Sequence, residues 1–172
     1  MKYIIFFLCF STISISASTQ TIPPKIKTYV EDTGSVRPII KDIVDQMVAY
    51  NRVDDRAISD DGNQSTQYKR YLQLVRQATT RELVQLTNHK SPIIRAYTFW
   101  ALGKREYKSM IPDIIDKHLN DKESFTYVNG CMKETEQINT FYLQYLIHNS
   151  NYFKLSKKEK EKYNKLLIDM RK

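Results

Sequence analysis

Leu83-Val84-Gln85-Leu86-Thr87-Asn88-His89-Lys90-Ser91-Pro92-Ile93-Ile94-Arg95-Ala96-Tyr97-Thr98-Phe99-Trp100-Ala101-Leu102 reads as two helices joined by a short polar turn. Just upstream, Thr79 and Glu82 have the spacing of a capping box, in which a hydroxyl and a carboxylate close the first turn reciprocally. The first helix therefore starts there and runs through Leu83 and Leu86 to Asn88. Ser91 then stands as an N-cap and Pro92 at the first helical position, where the missing N–H leaves no helical bond unmade. From Ile93 to Leu102 the apolar residues go nearly all round, which predicts a helix buried on every side. Gly103 is its expected end or weak point.

Downstream, Ser109 begins another helix with Pro112 tolerated in its first turn and Ile111, Ile114, Ile115 and Leu119 on its core face. The pattern breaks at 120–135, an expected irregular stretch with a short extended piece and a turn at Asn129-Gly130. Ile138, Phe141, Tyr142, Tyr145 and Leu146 form the stripe of a further helix. Ser156 and Glu159 make a second capping box before Tyr163, Leu166, Leu167 and Met170. Upstream, Tyr68, Tyr71, Leu72 and Val75 share a helical face from Thr66. Ile40, Ile43, Val44 and Met47 do so over 38–50, with Pro38 at the first position. Between these two helices, 51–65 reads as a mobile loop. Its aspartates, Asp54, Asp55, Asp60 and Asp61, come in adjacent pairs with no closing Glu, unlike a helix-loop-helix calcium site.

Over 79–121 the sequence resembles HEAT-type (armadillo-type) helical repeats, covering about one and a half repeats. Pro92, Ile94, Arg95, Ala101 and Leu102 match the family's turn proline, aliphatic-Arg pair and Ala-Leu ending, and Leu119-Asn120-Asp121 resembles the end of a following first helix. Thr98 departs from an expected Ala, and His89 stands where an Asp is common. The resemblance implies that Arg95 supports the turn through carbonyls of the preceding helix and that Pro92 shapes it. A single such unit cannot cover its own apolar face, so neighbouring helices must stack on it as caps. The expected fold is all-α: a short α-α superhelix of HEAT-like hairpins with capping helices, forming a single helical domain over 38–172.

The N-terminal residues are expected to serve targeting. Lys2, the apolar run Tyr3 to Phe10 and the small residues Ser16-Ala17-Ser18 have the layout of a signal peptide spanning 1–18. The run is too short for an ordinary membrane span. Cys9 lies inside it without the small residues a lipidated cysteine needs before it. Residues 19–37, with Pro23 and Pro24, read as an extended lead-in. Cleavage after Ser18 leaves Cys131 as the lone cysteine, so no intramolecular disulfide forms. The abundance of Lys, Ile, Asn and Tyr points to an AT-rich bacterial genome, and hence to a periplasmic or secreted destination in a bacterial cell envelope. In a eukaryotic route, Asn63-Gln64-Ser65 would accept a glycan.

The 172 residues carry a formal net charge of +8, much of the excess in the C-terminal lysines. That balance favours anionic surfaces, but export argues against nucleic acid, and a charge run on a terminal helix is usually a solvated face. His89, His118 and His148 lie on separate elements with no zinc-type spacing among them. No nucleophile elbow, phosphate loop or dinucleotide fingerprint occurs, so no catalytic, cofactor or metal residue is assigned. A Cys-His site would need His118, Cys131 and an acidic residue to converge in one pocket. Trp100, in the most apolar helix, is the candidate partner-binding residue, because Trp is favoured at binding hot spots. The expected role is a non-enzymatic protein-binding module, with a cationic binder of an anionic envelope polymer or membrane surface as the alternative.

Overall fold

The computed structural model describes residues 35–56, 58, 64–105, 107–151 and 153–171. The expected signal peptide, most of the lead-in, and Asp60, Asp61, Gly62 and Asn63 lie outside the described residues. Helix α1 spans Pro38–Tyr50 with Pro38 in its first turn, and it ends where Asn51 turns left-handed at φ 59°. Ile40, Ile43, Val44 and Met47 are all buried, so the 3.6-residue stripe faces the core as its spacing requires. Helix α2, Thr66–Gln77, is capped by the Ser65 side chain, which accepts from the N–H groups of Gln67 and Tyr68. Helix α3, Thr80–Leu86, opens on the expected capping box of Thr79 and Glu82.

The long apolar helix is α4, Pro92–Lys104, with ten of its thirteen residues buried. It packs against α1, α2 and α3, and against the later helix α6, Ile138–His148. Its amino-terminal capping differs from expectation. Ser91 occupies the N-cap position without a side-chain cap bond. Instead, the Ser91 N–H donates to Nδ1 of His89 at 3.0 Å. The Thr98 hydroxyl donates back into the helix, to the carbonyls of Ile94 (2.7 Å) and Arg95 (3.1 Å), so a polar residue sits buried without an unmet donor.

A single 3₁₀ turn, Lys108–Met110, leads into α5, Ile111–His118, with Pro112 in its first turn. Helix α6 spans Ile138–His148, and α7, Lys157–Met170, opens on the second capping box, Ser156 with Glu159. Seven α-helices packed on one another thus make the frame among the described residues. The expectation of an all-α fold fails at one place. Residues 124–129 and 132–137 form an antiparallel hairpin, β2 and β3, and Val53–Asp54 joins β2 in parallel as β1. The stretch expected to be irregular is therefore a hairpin. Its two-residue loop, Gly130-Cys131, carries Gly130 at φ +57°, as hairpin turns of the right twist require. The expected mobile loop also holds more order than its composition suggests. Asp54 is fully buried, its carboxylate bound by Arg52 and by the Ser65 hydroxyl.

Helix α4 ends at Lys104, one residue past Gly103. A β-carbon at 103 would lie 2.7 Å from Cε1 of Tyr145, so the glycine also lets α6 approach α4. No helix among the described residues is long and apolar enough to cross a membrane.

Candidate functional site

Three helices carry aromatics three residues apart: Tyr68 and Tyr71 on α2, Tyr97 and Trp100 on α4, Tyr142 and Tyr145 on α6. That spacing places each pair on one helical face. Most of these rings meet around Trp100. The indole lies 6.0 Å from Tyr71, 6.0 Å from Tyr97, 6.0 Å from Tyr127, 5.5 Å from Phe141 and 6.3 Å from Tyr145, measured between ring centroids. The neighbouring rings are tilted or edge-on to it, the arrangements aromatic quadrupoles prefer. Trp100 itself remains partly exposed, unlike the seven residues before it on the helix.

Backbone anchoring brings the fifty-fifth residue to this cluster. Tyr97 Oη accepts from the Asp54 N–H at 2.7 Å and donates to the Asp54 carbonyl at 3.0 Å. The Asp55 N–H donates to the Val128 carbonyl at 2.8 Å, which extends the pairing of β1 with β2. The Asp55 carboxylate then accepts from the Tyr127 hydroxyl at 3.2 Å. Burial pushes the phenols of Tyr71, Tyr97 and Tyr127 well above their usual pKa, so all stay protonated near neutrality.

Two recesses border the indole and share Trp100 and Tyr145. The smaller, about 130 Å³, is completed by Asp55, Tyr68, Tyr71 and Lys104. The Lys104 ammonium donates to the Tyr68 hydroxyl at 3.2 Å and stands 5.7 and 5.6 Å from the ring centres of Tyr68 and Tyr71. The larger, about 320 Å³, adds Tyr127, Phe141, Gln144 and Glu136. The pairing Phe125 with Glu136 and Tyr127 with Glu134 puts both glutamates on the sheet face that carries these rings. Burial and the neighbouring Glu134 charge raise the Glu136 pKa above the ordinary carboxylate range.

Arg95 lies apart from this cluster, in the first turn of α4. Its Nη1 donates to the carbonyls of His89 at 2.7 Å and Lys90 at 3.1 Å, and the guanidinium also pairs with Asp121 and Glu123 at 2.9 Å each. Pro92 is in the first turn of α4, directly after this bend. His118 joins the same network through Asp121, 3.1 Å from its Nδ1, and burial lowers its pKa against that carboxylate. Cys131 is exposed in the hairpin loop, whereas His118 is buried in the last turn of α5, so the two occupy different environments. His89 accepts from Ser91, and burial lowers its pKa. His148 sits at the exposed end of α6, its Nδ1 2.8 Å from the Gln144 carbonyl. Among the described residues no group of three or more His, Cys, Asp or Glu side chains is placed to hold a metal ion.

Of the residues singled out from the sequence, Trp100 borders two recesses, His148 lines the larger of these, and Pro92 lines a separate one of about 220 Å³. Asp55, Tyr71, Lys104, Tyr127 and Glu136 were not foreseen around Trp100. The three-residue aromatic spacing on α2, α4 and α6 was the available signal, and it was read as core. The chain matches no protein-family model, no curated protein and no solved structure.

Proposed function

We propose that this chain is an exported, non-enzymatic interaction module that binds another protein through the face centred on Trp100. In this reading, residues 79–121 act as a HEAT-like helical repeat and the outer helices cap it. One observation carries the proposal: a partly exposed Trp, set among five rings, borders two recesses. A large rigid side chain beside pockets is the composition of an interface anchor, where a few residues supply most of the binding energy. The test is affinity capture with crosslinking from the cells that make the protein, using wild type and Trp100→Ala in parallel. A protein held by wild type and lost from a folded Trp100→Ala variant supports the reading; equal recovery by both overturns it. Mass spectrometry of the exported form, expected to begin at Thr19, tests the signal peptide.

A second reading rests on the exposed lysines of α7, Lys157, Lys158, Lys162 and Lys165. These favour an anionic polymer or membrane surface. Lys162 is 3.9 Å from Asp116, a loose exposed pair that neutralises little of its charge. Retention on a polyanionic matrix that collapses with added salt, and is lost when these lysines are reversed to Glu, would favour it over the Trp100 face.

A further inference from the structure

Both recesses beside Trp100 join aromatic walls to a carboxylate, but they differ in their cations. In the smaller, the Lys104 ammonium already stands 5.7 and 5.6 Å from the ring centres of Tyr68 and Tyr71, with Asp55 on the same wall. The larger, about 320 Å³, is lined by the rings of Trp100, Tyr127, Phe141 and Tyr145 and by Glu136, with no lysine or arginine among the described lining residues. Trp100 is partly exposed while its Nε1 is buried, so the surface its indole shows to solvent is ring carbon. The Glu136 carboxylate lies at the wall, where it accepts from Nε2 of Gln144, another lining residue, at 3.4 Å. Glu134 shares its face of the hairpin, whereas Lys133, opposite Val128, lies on the other. Arg171, past the end of α7, acts on Glu136 by its charge, but it is exposed and does not line the recess. His148 stands exposed at the edge with Nδ1 against the Gln144 carbonyl.

These groups select by charge and by surface. An anion would meet Glu136, with Glu134 on the same face. A bare metal ion takes about six or more oxygen ligands, and ring carbon supplies none. An uncharged apolar ligand would strip water from the half-buried carboxylate and return no partner. An organic ammonium cation answers both features, since it pairs with a carboxylate and its alkyl groups are drawn to aromatic rings. The volume falls within the roughly 300–1,000 Å³ of small-ligand pockets. We propose that the larger recess binds an organic ammonium cation, its charge paired with Glu136 and its alkyl groups held by Trp100, Tyr127, Phe141 and Tyr145. Lys104 makes the corresponding contact within the chain at the smaller recess. The cation has two sources, a lysine side chain on a partner or a free quaternary ammonium compound. The site rests on the Trp100 face being a binding face, and not on the partner being a protein.

Trp100 is the chain's only tryptophan, so its fluorescence reports on this recess. The probes are choline and Nα-acetyl-lysine methylamide. The comparison solutes are tert-butanol, sodium acetate and sodium chloride at matched ionic strength. Titrations run at about pH 8, where a histidine side chain carries little charge. The expected result is a saturable emission change with at least one ammonium probe and none with the comparison solutes; the tighter probe names the source. Glu136→Gln keeps the shape, removes the charge and should weaken binding about tenfold or more. It should leave thermal stability unchanged or higher, because the half-buried charge and its desolvation cost are gone. Glu134→Lys, at an exposed position, sets a competing cation beside Glu136, should weaken binding as well, and serves if Glu136→Gln misfolds. The proposal is overturned if neither ammonium probe shifts the emission, if tert-butanol or acetate does so equally, or if the folded variants bind as tightly as wild type. Partner capture by wild type over Trp100→Ala is scored separately, so the two readings fail independently.

Discussion

The Tyr145 ring occupies the space that a β-carbon at Gly103 would need, with Cε1 2.7 Å and the hydroxyl 2.8 Å from that position. Gly103 is buried within α4, and the ring over it walls both recesses beside Trp100. In an unobstructed helix, Gly→Ala stabilises by about 1 kcal/mol. Here the sign should reverse: Gly103→Ala is expected to cost about 1 kcal/mol through overpacking and to alter Trp100 emission as Tyr145 is displaced. In a Tyr145→Ala background the same change should become neutral or stabilising. A chemical-denaturation double-mutant cycle measures this, and additive effects would sink the packing account.

Arg95 is 5% exposed and is bonded to two carbonyls and two carboxylates. Truncating it leaves the carbonyls of the 89–90 turn without this donor and Asp121 without its buried cation. Arg95→Ala should cost about 3–5 kcal/mol, as for other broken buried pairs. Glu123, whose side chain is 61% exposed, should contribute below about 1 kcal/mol when changed to Ala. Urea unfolding of the two variants side by side gives the comparison, and similar losses would contradict it.

Glu82 accepts from the Arg37 backbone N–H at 3.0 Å and from its guanidinium at 2.9 Å, and it also closes the Thr79 capping box. The Arg37 hydrogen bond, foremost, lowers its pKa from 4.5 to about 2. A carboxylate with a depressed folded-state pKa stabilises the fold fully above its unfolded value. That contribution fades as pH falls from about 4.5 towards 2. Melting temperature followed over this interval should therefore drop less steeply in Glu82→Gln, which starts lower at neutral pH. An acid limb unchanged by the substitution would rule out Glu82 as its source.

Gly130 begins the two-residue loop of the hairpin at φ +57°, with no atom within 4 Å of a built β-carbon. Space is open there, so the penalty is conformational alone. Gly130→Ala should cost about 1–2 kcal/mol, and Gly130→Asn clearly less, since Asn tolerates the left-handed region. Thermal unfolding of both variants decides the matter; equal losses would point to packing instead.

What the sequence determined by itself is local. Periodicity and short-range chemistry located every long helix: Pro38 and Pro92 in first turns, and the Thr79–Glu82 and Ser156–Glu159 capping boxes, where side chain and backbone lie within one helical turn of each other. The carbonyls that accept from Arg95 are five and six residues before it, so that contact too is local. The pairing of 124–129 with 132–137 was hidden because β3, exposed over most of its length, lacks apolar alternation. The addition of Val53–Asp54 joins segments some seventy residues apart, and no local pattern encodes that contact. Most of the surroundings of Trp100 belong to the same class. Helix geometry puts Lys104 one turn after Trp100 on α4, whereas tertiary packing placed Asp55, Tyr71, Tyr127 and Glu136 around the same indole, because the anchors Tyr97 to Asp54 and Tyr145 over Gly103 are long-range.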